Sequence, residues 1–440
     1  MIRQPMKSTD HEHNLFFSED IDITEEFTRT LQLMEYTDKH LYITGKAGAG
    51  KSTLLRHFVE HTGKTHVIVA PTGVSAIHIG GMTIHSFFRF PFGIIDQRDI
   101  EYQPEKRKLF RNLDVLIIDE VSMVRSDIMH AIDLALRKNT GEKDVPFGGV
   151  QIIMFGDLYQ LPPVVTSDEE KDYLRTEFGG EYFFYAPGLL KAGIEHVELQ
   201  ENFRQKEDGA FLSLLNAIRE KQISWKHLSA LNTRVAPYTL SEPVIVLTTT
   251  NKIADGINED KLAMIDSPEF VYMARVEDVF DIKKAPTDDE LRLKKGAQIM
   301  MVKNDIETPR RWVNGSVGTV VALDNNTIVV TIDGEEYSLT TAMWEEYGYE
   351  YDEDSKEITK VAVGSFHQYP LKLAWAVTIH KSQGKTFDRV VIDLGRGAFA
   401  HGQTYVALSR CRSLAGIFLK RPVMSSDIIV DDEVRLFHLP

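Results

Sequence analysis

The stretch GKAGAGKST, Gly45 to Thr53, has glycines, a lysine and hydroxyls at the spacing that holds a phosphate. Gly45, Gly50, Lys51 and Ser52 match a P-loop, in which backbone N–H groups ring the phosphates, the lysine reaches the outer ones and the hydroxyl holds magnesium. Asp119 and Glu120 close the apolar run LDVLII as a carboxylate pair. In that setting Asp119 would bind the magnesium held by Ser52, and Glu120 would polarise a water for in-line attack on the terminal phosphate. GDLYQLPP adds Gly156, Asp157 and the amide of Gln160, placed to touch the terminal phosphate and register its loss. Arg204 in ENFRQ and Arg410 in YVALSRCRS carry guanidinium groups able to reach across a cleft to that phosphate. Each arginine taken alone also reads as a surface salt bridge.

Such residues work only at the ends of rigid elements. From Leu41 to about Val165 short apolar runs, LYITG, THVIVAPTG, LDVLIIDEVS and VQIIMFGDL, alternate with helical or loop stretches. Runs of that kind predict a parallel sheet covered by helices, with ligands at the C-terminal strand ends. A second series, HVELQENFR, PVIVLTTTNKIADGIN, LKLAWAVTIHKSQG, DRVVIDLG and GIFLKRP, predicts a second α/β lobe. Inside this second series, between TTTN and LKLAWAV, the segments TVVALD, TIVVTID and EEYSLT alternate in polarity and are joined by DNN and DG turn signals, which predicts a small inserted antiparallel barrel. The expected organisation is an N-terminal segment 1–40, a first lobe 41–185 with an aromatic loop near 80–100, a second lobe 186–294 and 369–440, and an insertion at 295–368.

Bulk properties narrow the classes. A chain of 440 residues, 43% hydrophobic, is long enough for two or three cores. No apolar run is long enough to cross a bilayer, and MIRQPMKSTDHEHNLFF is too polar for a signal peptide, so the expected location is intracellular, cytoplasmic or nucleoid-associated. The single cysteine, Cys411, excludes an intrachain disulfide and a multi-cysteine metal site. A net charge of -15 argues against nonspecific coating of nucleic acid and leaves room for a narrow basic channel. The acidic stretches WEEYGYEYDEDSKE and EDVFDIKKAPTDDE read as solvated faces or loops.

APTG and VTIHKSQG each place hydroxyls and N–H-rich turns after a strand, which suits the phosphates of a single strand. His78 and His85 read either as core histidines or as nucleic-acid contacts, with His85 the better placed of the two. Phe87, Phe88, Phe90 and Phe92 read mainly as core, with Pro91 and Gly93 leaving a loop on which one ring could act as a wedge. Trp312, beside Arg310 and Arg311, is open to the same two readings.

The ordered set GKAGAGKST, APTGVSA, IIDEVSM, GDLYQLPP, ENFRQ, AVTIHKSQGKTFD and YVALSRCRS resembles a superfamily 1B, RecD-like helicase of the petite-integration-frequency (PIF) family. The resemblance runs from about Leu41 to Ser413. It implies two RecA-like lobes with an SH3-like insertion, ATP and magnesium as cofactors, and 5'-to-3' travel on single-stranded DNA. It implies nucleotide contacts at Gly45, Gly48, Ala49, Gly50, Lys51, Ser52, Thr53, Asp119, Glu120, Gln160, Arg204, Gly384 and Arg410. It implies DNA contacts at Pro71, Thr72, Gly73, His85, Thr378, His380, Lys381, Ser382 and Gln383. Tailed or forked duplex, and by extension G-quadruplex and RNA-DNA hybrid, are the implied substrates of a monomeric enzyme. One departure stands out: the glutamine that reads adenine upstream of the P-loop is replaced in EEFTRTLQ, where Thr28 is near the expected position and Gln32 lies beyond it. The rival readings are a P-loop phosphotransferase and a nucleotide-regulated nucleic-acid-binding switch.

Overall fold

The apolar runs of the first half become strands because they have no polar face to give to water. β1 (Leu41–Gly45), β4 (Val115–Ile118) and β5 (Gln151–Phe155) are buried at every residue. With β2 (His66–Ala70), β3 (Met82–Thr83) and β6 (Glu195–Leu199) they form a sheet in the order β3-β2-β4-β5-β1-β6, parallel at every pairing. A computed structural model describes residues 24–201, 208–235, 244–307, 310–352, 355 and 357–437.

Helices seal this sheet. α1 (Glu25–Tyr36) starts where the Thr24 side chain accepts from Phe27 N–H at 3.3 Å, leaving Phe27, Leu31 and Met34 on one buried face. α2 (Lys51–His61) brings Leu54, Leu55 and Phe58 to the same core, against Ile43, Ile117 and Ile153. Each fully buried side chain of this size contributes about 1.5–3 kcal/mol. α3 (Gly73–Ile79) and α4 (Ile84–Phe88) follow β2 and β3.

β6 corrects the expected boundary. Its run HVEL was assigned to the second lobe, yet all five of its residues pair with β1 in the first sheet. Its half-exposed pattern is that of an edge strand, and nothing local in the run says which sheet it joins.

A second parallel sheet, in the order β18-β7-β19-β20, contains β7 (Ile245–Thr248), β18 (Ala376–Thr378), β19 (Val390–Asp393) and β20 (Ile417–Leu419). Between β7 and β18 the chain makes β8 (Glu269–Met273), β9 (Arg275–Asp278), β10 (Glu290–Lys294), β11 (Gln298–Met301), β12 (Val317–Leu323), β13 (Ile328–Ile332), β14 (Glu335–Leu339), β15 (Ala342–Tyr351), β16 (Ile358–Gln368) and β17 (Leu371–Leu373). Five of these, β14-β13-β12-β11-β17, form one antiparallel sheet, and β10-β8 and β15-β16-β9 form two smaller ones. The antiparallel grammar thus begins before Lys295 and ends after Gln368. Trp312 belongs to this core: it is buried, with the Arg311 guanidinium over its ring at 4.5 Å and Tyr337 edge-on at 5.6 Å.

The acidic stretch WEEYGYEYDEDSKE also departs from expectation. Trp344 to Tyr351 lie in β15, a paired strand in place of a solvated loop, with Trp344 and Tyr349 buried.

The chain divides into two compact units. Unit 1 comprises 1–158, 162–203 and 346–363, and unit 2 comprises 159–161, 204–345 and 364–440. Within unit 1, β3 pairs with β2 only at Val69 and Ala70. Next to that short pairing, Ile68 N–H donates to the Tyr349 hydroxyl at 3.2 Å. Burial pushes this phenol up to about 12.

Candidate nucleotide and nucleic-acid sites

β1 ends at Gly45, and the chain turns back through Ala49 N–H, which donates to Lys46 O at 3.0 Å. Gly50 sits at φ 81°, a left-handed conformation that costs a glycine little, and caps α2. Leu54 N–H closes the first helical bond on Gly50 O at 2.9 Å. The first turn of α2 therefore carries Lys51, Ser52 and Thr53 where N–H groups and the helix dipole favour an anion. Lys51 Nζ donates to Gly45 O at 2.6 Å and Lys46 O at 3.3 Å, which holds the ammonium over the loop. Ser52 is exposed.

At the end of β4, Asp119 N–H donates to Val69 O at 3.0 Å, so the residue is fixed by the ladder itself. Its Oδ1 accepts from Glu120 N–H at 3.0 Å. Glu120 lies at φ 52°, ψ 42°, a left-handed conformation strained for a side chain with a Cβ. Burial, and then the Glu120 charge, hold the Asp119 carboxyl well above the usual carboxylate range, while Lys51 pulls the other way. Beyond β5, Gly156 lies so close to the turn after Glu120 that a Cβ there would meet Val121 Cγ1 at 3.0 Å and the Ser122 backbone N at 3.2 Å. Asp157 follows, 1% exposed.

A carboxylate and a hydroxyl are the hard oxygen donors that magnesium takes alongside phosphate oxygens. Asp119 and Ser52 have that chemistry, and the raised Asp119 is a group that a neighbouring cation would favour in its charged form. Magnesium would there neutralise charge on the phosphates.

Unit 1 also contains the first candidate strand-binding group. Pro71, Thr72 and Gly73 follow β2, and Thr72 caps α3, its Oγ1 accepting from Ser75 N–H at 3.2 Å. His85 stacks on Phe92 at 5.4 Å with 22° between the rings. Burial, and next the Arg125 charge, lower its pKa and so favour the neutral imidazole. Of the clustered rings, Phe87, Phe88 and Phe90 are core, while Phe92 is 91% exposed.

Unit 2 carries the second group. Thr378 ends β18 and its Oγ1 accepts from Lys381 N–H at 3.2 Å, while Ser382 Oγ donates to Ile379 O at 2.7 Å. Both hydroxyl-bearing residues are buried, so they shape the loop, and His380, Lys381 and Gly384 are the ones it exposes. Gln383 Nε2 donates to Gln160 Oε1 at 3.3 Å. Arg410 follows α5 (Gln403–Ser409), 2% exposed, and donates to Val406 O at 3.0 Å, Ser409 Oγ at 2.8 Å and Lys385 O at 3.4 Å. Arg204 lies outside the described residues.

Known proteins share this plan. Residues 25–227 match the family described as PIF1-like helicase. A relative from Bdellovibrio bacteriovorus, ATP-dependent DNA helicase Pif1, is 34% identical over 433 residues, covering 95% of this chain and 92% of its own length. The chain belongs to the PIF1-like helicase family. Membership makes it an ATP-dependent DNA helicase, an ATP hydrolase whose reaction drives unwinding. Bacteroides sp Pif1 in complex with ADP-AlF4 aligns with a TM-score of 0.87 at 38% identity, covering 95% of this PIF1-like chain and 96% of that one. Bacteroides Pif1 bound to ssDNA aligns with a TM-score of 0.69 at 39% identity, covering 95% and 96%.

Sequence reasoning missed Lys372 and Lys385, two lysines beside the His380–Gly384 loop. The signal was present in LKL, where a cation sits between two leucines of a short strand.

Proposed function

We propose that the protein is a magnesium-dependent motor that tracks 5' to 3' along single-stranded DNA and opens tailed or forked duplex. The observation that carries the reading is that β1, which ends in the Gly45–Thr53 loop, and β4, which ends in Asp119 and a conformationally strained Glu120, lie in one parallel sheet with β5 between them. Gly45, Gly48, Ala49, Gly50, Lys51, Ser52 and Thr53 cradle the phosphates, Ser52 and Asp119 hold magnesium, and Glu120 orients and polarises the attacking water. Gln160, Arg204, Gly384 and Arg410 are assigned to the phosphates through their motifs. Arg410 would have to exchange its present carbonyl partners to serve there.

The strand-gripping residues are Pro71, Thr72, Gly73, His85, His380, Lys381 and Gln383, with Thr378 and Ser382 acting through the shape of their loop. The relative solved with ssDNA supports a single strand as the track. Thr28 Oγ1 donates to Thr24 O at 3.1 Å, so its hydrogen is engaged by its own helix and its hydroxyl offers a base an acceptor in place of a donor. The working form is an intracellular monomer, and G-quadruplex or RNA-DNA hybrid are further substrates of the same grip. No described helix is long and apolar enough to cross a membrane.

Duplexes with a 5' tail, a 3' tail or no tail test this, with ATP, magnesium and a trap for the freed strand. Only the 5'-tailed duplex should open well, and hydrolysis should rise on adding oligonucleotide. Opening from a 3' tail would reverse the polarity. Turnover indifferent to oligonucleotide would return the phosphotransferase or switch reading.

A further inference from the structure

Unit 2 contains two cations, Lys372 and Lys385, that the strand grip described above does not include. Lys372 is the middle residue of β17 and pairs in register with Met300 of β11. Its ammonium makes no hydrogen bond or ion pair among the described residues. Met301, the next residue of β11, accepts from Gly315 N–H at 2.9 Å, which sets the turn holding Asn314 at the same end of the strand pair. Asn314 Oδ1 accepts from Lys385 Nζ at 2.7 Å, and Asn314 N–H donates to Asn304 Oδ1 at 2.8 Å. Lys385 itself leaves the His380–Gly384 loop through its N–H, bonded to Ser382 O at 3.0 Å. The neighbouring Lys381 is exposed and forms no ion pair among the described residues.

These ammonium groups repel one another. Burial and then Lys381 push Lys372 down to about 8, and burial and then Lys372 push Lys385 down to about 7. The carboxylates that face them are Asp288 and Asp255. Asp288 acts on both Lys372 and Lys381 and Asp255 acts on Lys372, none of them as an ion pair, and burial raises Asp288. Three ammonium groups facing two carboxylates leave an excess of buried positive charge, which lowers stability unless a further anion joins it. A phosphodiester chain is the fitting anion, because it presents successive charges to separate ammonium groups, and lysine meets phosphate as a point charge.

We propose that Lys372, Lys381 and Lys385 form a phosphate cradle in unit 2 that holds the backbone of the bound single strand, with Asn314 a positioning residue that aims the Lys385 ammonium. The cradle rests on the strand grip proposed for the His380–Gln383 loop and extends it to residues outside that motif.

The test is anisotropy of a labelled oligothymidine across a salt titration, for the parent, Lys372→Gln, Lys385→Gln, their combination and Asn314→Ala. The slope of log affinity against log salt should fall by roughly 0.7 for each lysine removed, and Asn314→Ala should weaken binding while keeping the slope. Thermal midpoints of the glutamine variants should equal or exceed the parent's, since each lowers the excess positive charge of the cluster and glutamine keeps a donor for Asn314. An unchanged slope overturns the cradle, as does a weaker affinity accompanied by a lower midpoint. Weaker binding of a fluorescent ADP without DNA, at unchanged slope, assigns the phosphate to the nucleotide and overturns the strand assignment. If the parent binds no oligonucleotide, the strand-tracking reading fails and the cradle with it. Strand binding by the parent with unaltered slopes in the variants removes the cradle alone.

Discussion

Asp119 Oδ1 accepts a hydrogen bond from the backbone N–H of Glu120 at 3.0 Å, and Glu120 makes that bond from a left-handed conformation. The two carboxylates are therefore set by one peptide: the bond fixes Asp119, and the unusual φ turns Glu120 out of the strand's alternation. Strain of this sort costs about 1–3 kcal/mol and persists where a surrounding structure imposes it. Glu120→Gln should keep ATP affinity and lower turnover by about 10²–10⁴, the range of a lost general base. Single-turnover hydrolysis beside equilibrium nucleotide binding checks this, and near-parental turnover would remove Glu120 from the chemistry.

Gly156 bears no chemistry and should still control it. A methyl at this position would press on Val121 and the Ser122 backbone, directly behind Glu120. Since a misplacement of about 1 Å can cost roughly 10²-fold, a shift of a few tenths of an ångström in Gly156→Ala should lower turnover by about tenfold. Nucleotide affinity should change much less. Equal losses in both would mean that the whole loop had moved.

Arg410 should reveal two roles when removed. Its guanidinium donates to Val406 O, Ser409 Oγ and Lys385 O inside unit 2, so Arg410→Ala should lower stability by about 1–3 kcal/mol in denaturant unfolding. Turnover by the folded fraction should also fall, if the arginine reaches the phosphates during hydrolysis. A variant that is destabilised but fully active would leave Arg410 with the structural role alone.

Lys385 gives a pH dependence of definite sign. Its folded pKa, lowered to about 7 by burial and Lys372, lies below the unfolded value of roughly 10.4. Below pH 7 the folded and unfolded chains both carry the proton, and the folded chain bears the cost of the buried charge. As pH rises from about 7 to 10 the folded chain sheds the proton first and gains stability. Lys385→Met should lack that gain in pH-dependent unfolding. Strand phosphates raise the pKa again, so binding should take up protons and weaken from pH 7 to 9, an uptake that calorimetry in buffers of different ionisation heat measures directly.

The phosphate loop, the carboxylate pair and the strands that end in them were legible because each is set within about ten residues. Gly50 and Lys51 need only the turn and helix that surround them. The direction taken by Ser382 was not legible, since its hydroxyl turns inward to Ile379 O in a loop whose shape depends on a neighbouring strand. β6 was assigned to the wrong sheet for a related reason: strand pairing is chosen by partners far along the chain. Lys372 stands out in LKL only as a cation between two leucines, and what gives it a setting, β11 and the Asn314 turn, lies roughly sixty to seventy residues earlier in the chain. Acidic composition hid β15, whose buried Trp344 and Tyr349 decide its structure more than its charges do.

Tyr349 has a consequence for how the chain is made. The hydroxyl that covers Ile68 N–H lies in a segment 346–363 that belongs to unit 1 yet follows most of unit 2 in sequence. A ribosome releasing residues from the N-terminus presents β2 long before its cover exists, so unit 1 waits, with that backbone group exposed, until residue 363 has emerged. Slow codons or pauses before that point would prolong a partly finished intermediate, and a fragment ending at 203 would retain it permanently.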